Sequence, residues 1–293
     1  MSKKIQLVIN PASGQPDTIL NKLNTVFHEA GIHWDVSITH ASGDATRLAK
    51  EAIEAGAEVV CAYGGDGTVM EVAHAVKGGE VPMAILPGGT ANLMAVELGI
   101  PKDLTQAAQI VASDKSSVIN IDMGKVGERY FMLRLGMGVA GEKVRLADRE
   151  LKDRFGIMAY TIAALKAMKD TQIADYQITI DGENHEVQGL TCLVDNAGNL
   201  GIAGIAAAKD ISVSDGLLDV ILVRDAGFSS VLSAAHGITD KGPDPGSYYH
   251  WQGREISIHT DPPTVVQGDG EMWGETPVTA KVLPGVLPIL TPG

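Results

Sequence analysis

The sequence predicts an α/β domain on a parallel sheet over residues 1–119, then a mostly antiparallel β-sandwich over residues 120–293, with the last strand free to return to the first domain. Three observations carry this expectation. Short apolar runs alternate with stretches of helical spacing through the first third of the chain, and parallel neighbours need such crossovers. From about residue 120 the pattern changes to runs of alternating apolar and polar residues, the period of half-buried strands. The length of 293 residues, with 45% hydrophobic and 20% charged content, suits two domains of roughly 100 to 200 residues each.

Ile5 to Ile9 reads as a strand that stops at Asn10-Pro11-Ala12-Ser13-Gly14. Ile19, Leu20, Leu23, Val26, Phe27 and Ala30 then recur at helical spacing, and Gly31 ends the helix. Trp34 to Thr39 is the second strand. Gly43-Asp44 opens a helix through Leu48, Ala49, Ala52 and Ile53, which Gly56 closes. A third strand, Glu58 to Ala62, runs into Gly64-Gly65-Asp66-Gly67-Thr68, and a helix is expected from Val69. The fourth strand, Met83 to Leu86, ends in Pro87-Gly88-Gly89-Thr90-Ala91-Asn92. All four loops fall at the carboxyl ends of the strands, where open parallel sheets bind ligands.

The Gly64 to Thr68 run is the strongest chemical signal. Glycines let backbone N–H groups approach a polyphosphate, and the following helix aims its unpaired N–H groups and positive dipole end at the same anion. Asp66 would repel phosphate unless a divalent cation bridged the two, because Mg²⁺ is normally held by one or two carboxylates and phosphate oxygens. An acidic glycine-rich turn is the plainer alternative, and convergence of the four loops favours the phosphate site.

In the second half, strands are expected at Val118 to Asp122, Tyr130 to Leu133, Tyr176 to Ile180, Gly189 to Val194, Leu218 to Val223, Glu255 to His259 and Val278 to Val282. Asp181-Gly182 is a hairpin signal. A long helical pattern covers Glu142 to Lys169, and Asp240 to Ser247 reads as a surface loop. Two acidic turns stand out: Ser214-Asp215-Gly216-Leu217, which suits a metal held by Asp215 and backbone carbonyls, and Gly268-Asp269-Gly270-Glu271, which suits a general base. Ordinary solvated turns are the alternative for both.

The formal net charge of -13 argues against nucleic-acid binding, which needs clustered Lys and Arg. No segment approaches the roughly 20 apolar residues of a spanning helix, and no signal-peptide core is present. A cytoplasmic protein, peripheral at a membrane, is the expected setting, with Cys61 and Cys192 as buried free thiols. Gly136 to Gly141 matches a dinucleotide fingerprint but lacks the acidic residue about 20 positions on. The eight histidines lack zinc-site spacing, and neither a nucleophile elbow nor the Gly-Lys-Ser/Thr phosphate loop occurs.

The ordered set Asn10 to Gly14, Thr39 with Gly43-Asp44-Ala45, Gly64 to Thr68, Pro87 to Asn92, Asp215 to Asp219 and Asp269-Gly270-Glu271 resembles the lipid kinases of the diacylglycerol kinase catalytic-domain family, soluble bacterial diacylglycerol kinases and sphingosine kinases among them. Leu151 to Tyr160 is also similar to a segment of that family, although the triple alanine 206–208 and Leu93 depart from its pattern. The resemblance implies transfer of the ATP γ-phosphoryl group to a lipid hydroxyl at a membrane surface. It implies ATP contacts from Asn10, Thr39, Gly64, Gly65, Asp66, Gly67, Thr68 and Thr90. It also implies a Mg²⁺ loop of Asp215 with the carbonyls of Ser212 and Leu217, and a proton acceptor at Asp269 or Glu271, of which we expect Glu271 with Asp269 as its partner. Asp66 joins this pair in the expected catalytic set, and the 143–160 helix is the expected membrane contact. A soluble-substrate kinase of the NAD kinase kind shares the Gly-Gly-Asp-Gly-Thr motif, and a non-catalytic nucleotide- or lipid-sensing module is the other alternative. The lipid stays open, as does the oligomeric state, a homodimer included.

Overall fold

The computed structural model describes residues 4–13, 18–138, 173–202, 205–206, 211–224 and 248–293. The expected helix over 142–169 with its membrane-contact segment, the Leu151 to Tyr160 stretch and the 240–247 loop lie outside the described residues. The chain forms two compact units, Met1–Asp122 with Gly285–Gly293, and Met123–Pro284.

The first unit runs β1 (Lys4–Ile9), α1 (Ile19–Glu29), β2 (His33–Ile38), α2 (Asp44–Glu54), β3 (Val59–Gly64), α3 (Asp66–Val76), β4 (Met83–Pro87), α4 (Leu93–Glu97) and α5 (Leu104–Ala112). Its strands lie in the order β2-β1-β3-β4, all parallel. β3 and β4 are buried along their whole length, as expected of central parallel strands covered on both faces. α1 packs against α5 and α2 against α3. Each helix buries one stripe, Leu23, Val26 and Phe27 in α1 and Ala45, Ala49 and Ala52 in α2. Gly31 and Gly56 follow α1 and α2 with φ of 66° and 82°, the left-handed helix stop that glycine adopts most readily.

The second unit holds β6 (Arg129–Phe131), β7 (Arg134–Met137), β8 (Ala174–Ile180), β9 (Glu183–Gly189), β10 (Thr191–Asp195), β11 (Asn199–Ile202), β12 (Ile205–Ala206), β13 (Leu218–Val223), β14 (Tyr248–Gly253), β15 (Glu255–Asp261), β16 (Val265–Gly268) and β17 (Glu271–Glu275). β5 (Ser117–Val126) enters it from the first unit, and β18 (Val278–Thr291) leaves it for the first unit, where Ile289 pairs in parallel with Met83. One sheet carries β18-β15-β8-β9 and the other β14-β13-β10-β7-β16-β17. Alternate residues from both sheets, among them Tyr176, Ile178 and Ile258 against Leu135, Val194 and Val220, meet in one core. This is the predicted sandwich.

The Asp181-Gly182 hairpin is present, both residues having positive φ (48° and 93°) and joining β8 to β9. Cys61 and Cys192 are free and buried. α3 begins at Asp66, three residues before the expected start, so Asp66, Gly67 and Thr68 form a helical first turn rather than a loop. Leu133 is not in a strand, because the chain breaks between β6 and β7. Among the described residues, no helix is long and apolar enough to cross a membrane.

Tyr176 is only 1% exposed, and its hydroxyl has no hydrogen-bond partner among the described residues. Burial, with a smaller contribution from nearby Cys192, pushes its pKa upward. Removing an unpaired buried hydroxyl relieves its desolvation cost, so Tyr176→Phe should raise stability by about 1 kcal/mol in urea unfolding. A loss of similar size would show that the hydroxyl is satisfied.

Candidate functional site

At the carboxyl edge of the first unit's sheet, the ladder continues one step past each strand. Asn10 donates its backbone N–H to Tyr63 (3.0 Å), Thr39 to Ile9 (2.9 Å) and Gly88 to Gly64 (3.0 Å). These bonds line up the four loops. Asn10 then joins two of them: its Oδ1 accepts from the Ala12 N–H (3.0 Å), and its Nδ2 donates to Thr68 Oγ1 (3.1 Å). The glycines allow this closeness. A Cβ on Gly64 would lie 2.5 Å from the Thr68 side chain, and one on Gly89 would lie 2.5 Å from the Gly65 Cα.

Carboxylates tie off the neighbouring backbone. Asp44 Oδ2 accepts from the N–H groups of His40 (2.9 Å) and Ala41 (3.0 Å). The hydrogen bond from Arg47, followed by these two, lowers the Asp44 pKa to about 2, so Asp44 is an acceptor across the neutral range. Glu71 on α3 accepts from the N–H groups of Gly43 (2.9 Å) and Ala45 (3.0 Å). Asn92, with φ of 52°, closes its own loop by accepting from the Gly89 N–H (2.9 Å) and donating to the Gly89 carbonyl (2.6 Å). Asp66 Oδ1 accepts from the Leu93 N–H at 2.7 Å, so in this structure it caps α4. Burial raises its pKa against the opposing pull of backbone N–H groups from Leu93, Met94, Asp66 itself and Asn92.

The N-terminus of α3 is different. Its cap residue is Gly65, which offers no side-chain hydrogen bond, and Gly67 in the first turn is exposed with open space where a Cβ would stand. Bare backbone therefore faces a cleft of about 500 Å³ lined by Asn10, Thr39, Ser42, Gly67, Thr68 and Glu71, among others. Four expected ATP contacts, Asn10, Thr39, Gly67 and Thr68, meet there. Thr90 lines a second cleft of about 330 Å³ with Gly88, Gly89, Lys22 and Lys102. Uncapped helix N–H groups beside glycine suit a phosphate chain. Among the described residues no three His, Cys, Asp or Glu side chains gather as a metal site. Mg²⁺ there would need one or two carboxylates with phosphate oxygens, the ordinary set for this ion.

The second unit holds the acidic turn between β16 and β17. Asp269 has φ of 46°, and its carboxylate accepts from three consecutive N–H groups, Met132 (2.8 Å), Leu133 (3.0 Å) and Arg134 (2.9 Å). Glu271 opens β17 opposite Gly268 and is exposed. The structure thus separates the two carboxylates: Asp269 faces the backbone and Glu271 faces solvent. In the other acidic loop, Asp215 Oδ1 accepts from the Leu217 N–H (3.0 Å), Ser212 Oγ from the Ser214 N–H (3.3 Å), and Gly216 takes φ of 76°. The chain folds back on the exposed Asp215, an oxygen-rich setting that suits a hard cation.

Sequence reading missed Glu71, Lys22, Lys102 and Asn196. Only Glu71 left a usable signal, since it lies three and four residues after Thr68 and Gly67 and so shares their helix face.

Burial raises the Asp269 pKa to about 6, outweighing the three N–H bonds that favour its charged form. The unfolded carboxyl titrates near 3.8, so this group's stabilisation is complete below that pH, fades as pH rises through about 6, and amounts to about 3 kcal/mol. Carboxyl ¹³C NMR should place the Asp269 midpoint near pH 6. A midpoint at the ordinary carboxylate value would contradict the balance.

Residues 4–126 match the family described as diacylglycerol kinase catalytic domain, and residues 135–291 match the YegS C-terminal NAD kinase beta sandwich-like domain. A Synechocystis protein whose name assigns it no activity is 30% identical, covering 99% of this chain and 71% of its own length. A Streptococcus pneumoniae protein named "Putative lipid kinase" is 28% identical over 96% of this chain and 95% of its own. The solved structure titled "Crystal structure of a putative diacylglycerol kinase from Bacillus anthracis str. Sterne" superposes with a TM-score of 0.82 and 27% identity, covering 99% of this chain and 97% of that one.

Proposed function

Since the chain belongs to the diacylglycerol kinase catalytic-domain family, we propose that it transfers the γ-phosphoryl group of ATP to the hydroxyl of a diacylglycerol-like lipid. One observation carries the nucleotide half of this reading. The glycine-capped N-terminus of α3 presents bare backbone to a cleft shared with Asn10, Thr39 and Thr68.

In this reading the N–H groups of the α3 first turn receive phosphate oxygens, with Gly64 and Gly65 keeping the approach clear. Asn10 and Thr68, bonded to each other at 3.1 Å, form one wall, and Thr39 the next. Thr90, beside Lys22 and Lys102, serves the rest of the nucleotide. When bound, Mg²⁺ would neutralise phosphate charge, with Asp66 as its carboxylate near the phosphates and Asp215, with the Ser212 and Leu217 carbonyls, at a second position. Phosphoryl transfer of this kind depends on positioning and charge stabilisation more than on covalent chemistry. Glu271 accepts the proton of the attacking lipid hydroxyl, and Asp269 keeps the turn that presents it. The acceptor comes from a membrane surface, and among the described residues no helix is long and apolar enough to cross one.

Purified protein incubated with γ-labelled ATP and a lipid extract should label lipid. Glu271→Gln should lower kcat by about 10² to 10⁴, the usual contribution of a general base. Asp66→Ala should remove turnover in a protein that still melts cooperatively. Labelling of NAD in place of lipid, or wild-type turnover in both variants, would discard the assignment.

A further inference from the structure

We infer that Asn196, immediately after β10, is a positioning residue for the acidic turn, acting through the three-residue segment Met132 to Arg134. This rests on the proposed reaction, in which Glu271 takes the acceptor's proton.

The segment is held from both sides. Its three N–H groups converge on the Asp269 carboxylate. Successive amides of this kind form an anion-binding concavity, and here the anion is the chain's own side chain. Its carbonyls are engaged as well. Met132 O accepts from Asn196 Nδ2 (2.8 Å), Leu133 O from the backbone N–H of Asn196 (2.8 Å) and Ala197 (3.2 Å), and Arg134 O from the Asp269 N–H (3.0 Å). Asn196 is fully buried, so water does not replace it as donor. Beside it, Asp195 meets Arg134 Nε at 3.3 Å and is buried too.

The link to Glu271 is short. Gly268 pairs with Leu135 on one side and with Glu271 on the other, and Asp269 and Gly270 are the only residues between Gly268 and Glu271. A shift of Met132 to Arg134 releases the Asp269 carboxylate, and with it the φ of 46° that shapes the turn. A left-handed non-glycine residue persists only where its surroundings over-determine it. The backbone N–H would be supplied by any non-proline residue, but the donor to Met132 comes from the asparagine side chain: an aspartate would set an oxygen against the Met132 carbonyl, and an alanine would remove that donor.

A core asparagine with a purely structural task would also be hydrogen-bonded, so the test separates the two roles. In Asn196→Ala, kcat for lipid phosphorylation should fall about tenfold or more while KM for ATP stays within about twofold. The same change added to Glu271→Gln should cause no further loss, because both act on one group. Unchanged kcat, or losses that multiply, overturns the inference. Should Asn196→Ala not fold, amide NMR of Asn196→Ser gives the answer. The N–H signals of Met132 to Arg134 and of Glu271 should move together, and a Glu271 signal at its wild-type position overturns the inference. A wild-type protein that labels no lipid refutes the proposed function instead, and the NMR comparison still decides whether Asn196 positions the acidic turn.

Discussion

Backbone N–H groups at the ends of strands and helices need acceptors, and carboxylates supply them at the loops around both candidate sites. Asp44 takes the amides of His40 and Ala41, Glu71 those of Gly43 and Ala45, Asp66 that of Leu93, and Asp269 those of Met132 to Arg134. Each carboxylate turns a mobile connection into a fixed one, since a charged acceptor on a backbone N–H is among the stronger hydrogen bonds available. The first turn of α3 departs from this pattern. Its cap residue is a glycine that makes no side-chain cap bond, and there is open space beside Gly67. An element that leaves its N–H groups for something outside the chain is suited to bind an anion.

The same pattern gives the acidic residues backbone contacts that their sequence positions do not announce. Asp66 and Asp269 both stand beside glycine in turn-like motifs, where a carboxylate reads equally as a metal ligand, a base or a cap. Both carboxylates are drawn inward to amides, and burial raises both pKa values. Glu271, two residues from Asp269, stays at the surface. The contrast follows from register: Asp269 sits at the left-handed corner, facing the β6–β7 break, while Glu271 is the first residue of an edge strand.

Much of the fold was legible because its signals are local. The apolar run of Ile5 to Ile9, the Leu23 to Phe27 stripe, the Gly31 and Gly56 stops and the Asp181-Gly182 turn each follow from a few neighbouring residues. Four cleft-lining positions, Asn10, Thr39, Gly67 and Thr68, follow from the rule that loops gather at the carboxyl edge of a parallel sheet. What stayed hidden depends on distant partners. β16 and β17 flank a glycine-rich turn with weak alternation, and β16 also pairs with the distant β7. α4 is only five residues long and takes its N-terminal acceptor from Asp66, 27 residues earlier. Asn196 reaches across 64 positions to Met132, and no spacing rule announces such a bond.

The account turns on polyphosphate binding at the uncapped end of α3, and amide NMR of ¹⁵N-labelled protein titrated with a non-hydrolysable ATP analogue and Mg²⁺ tests it most directly. The N–H signals of Gly65, Asp66, Gly67 and Thr68 should shift most, saturably, with those of Asn10 and Thr39 following. Saturable shifts confined to other residues, with these amides unmoved, would contradict it.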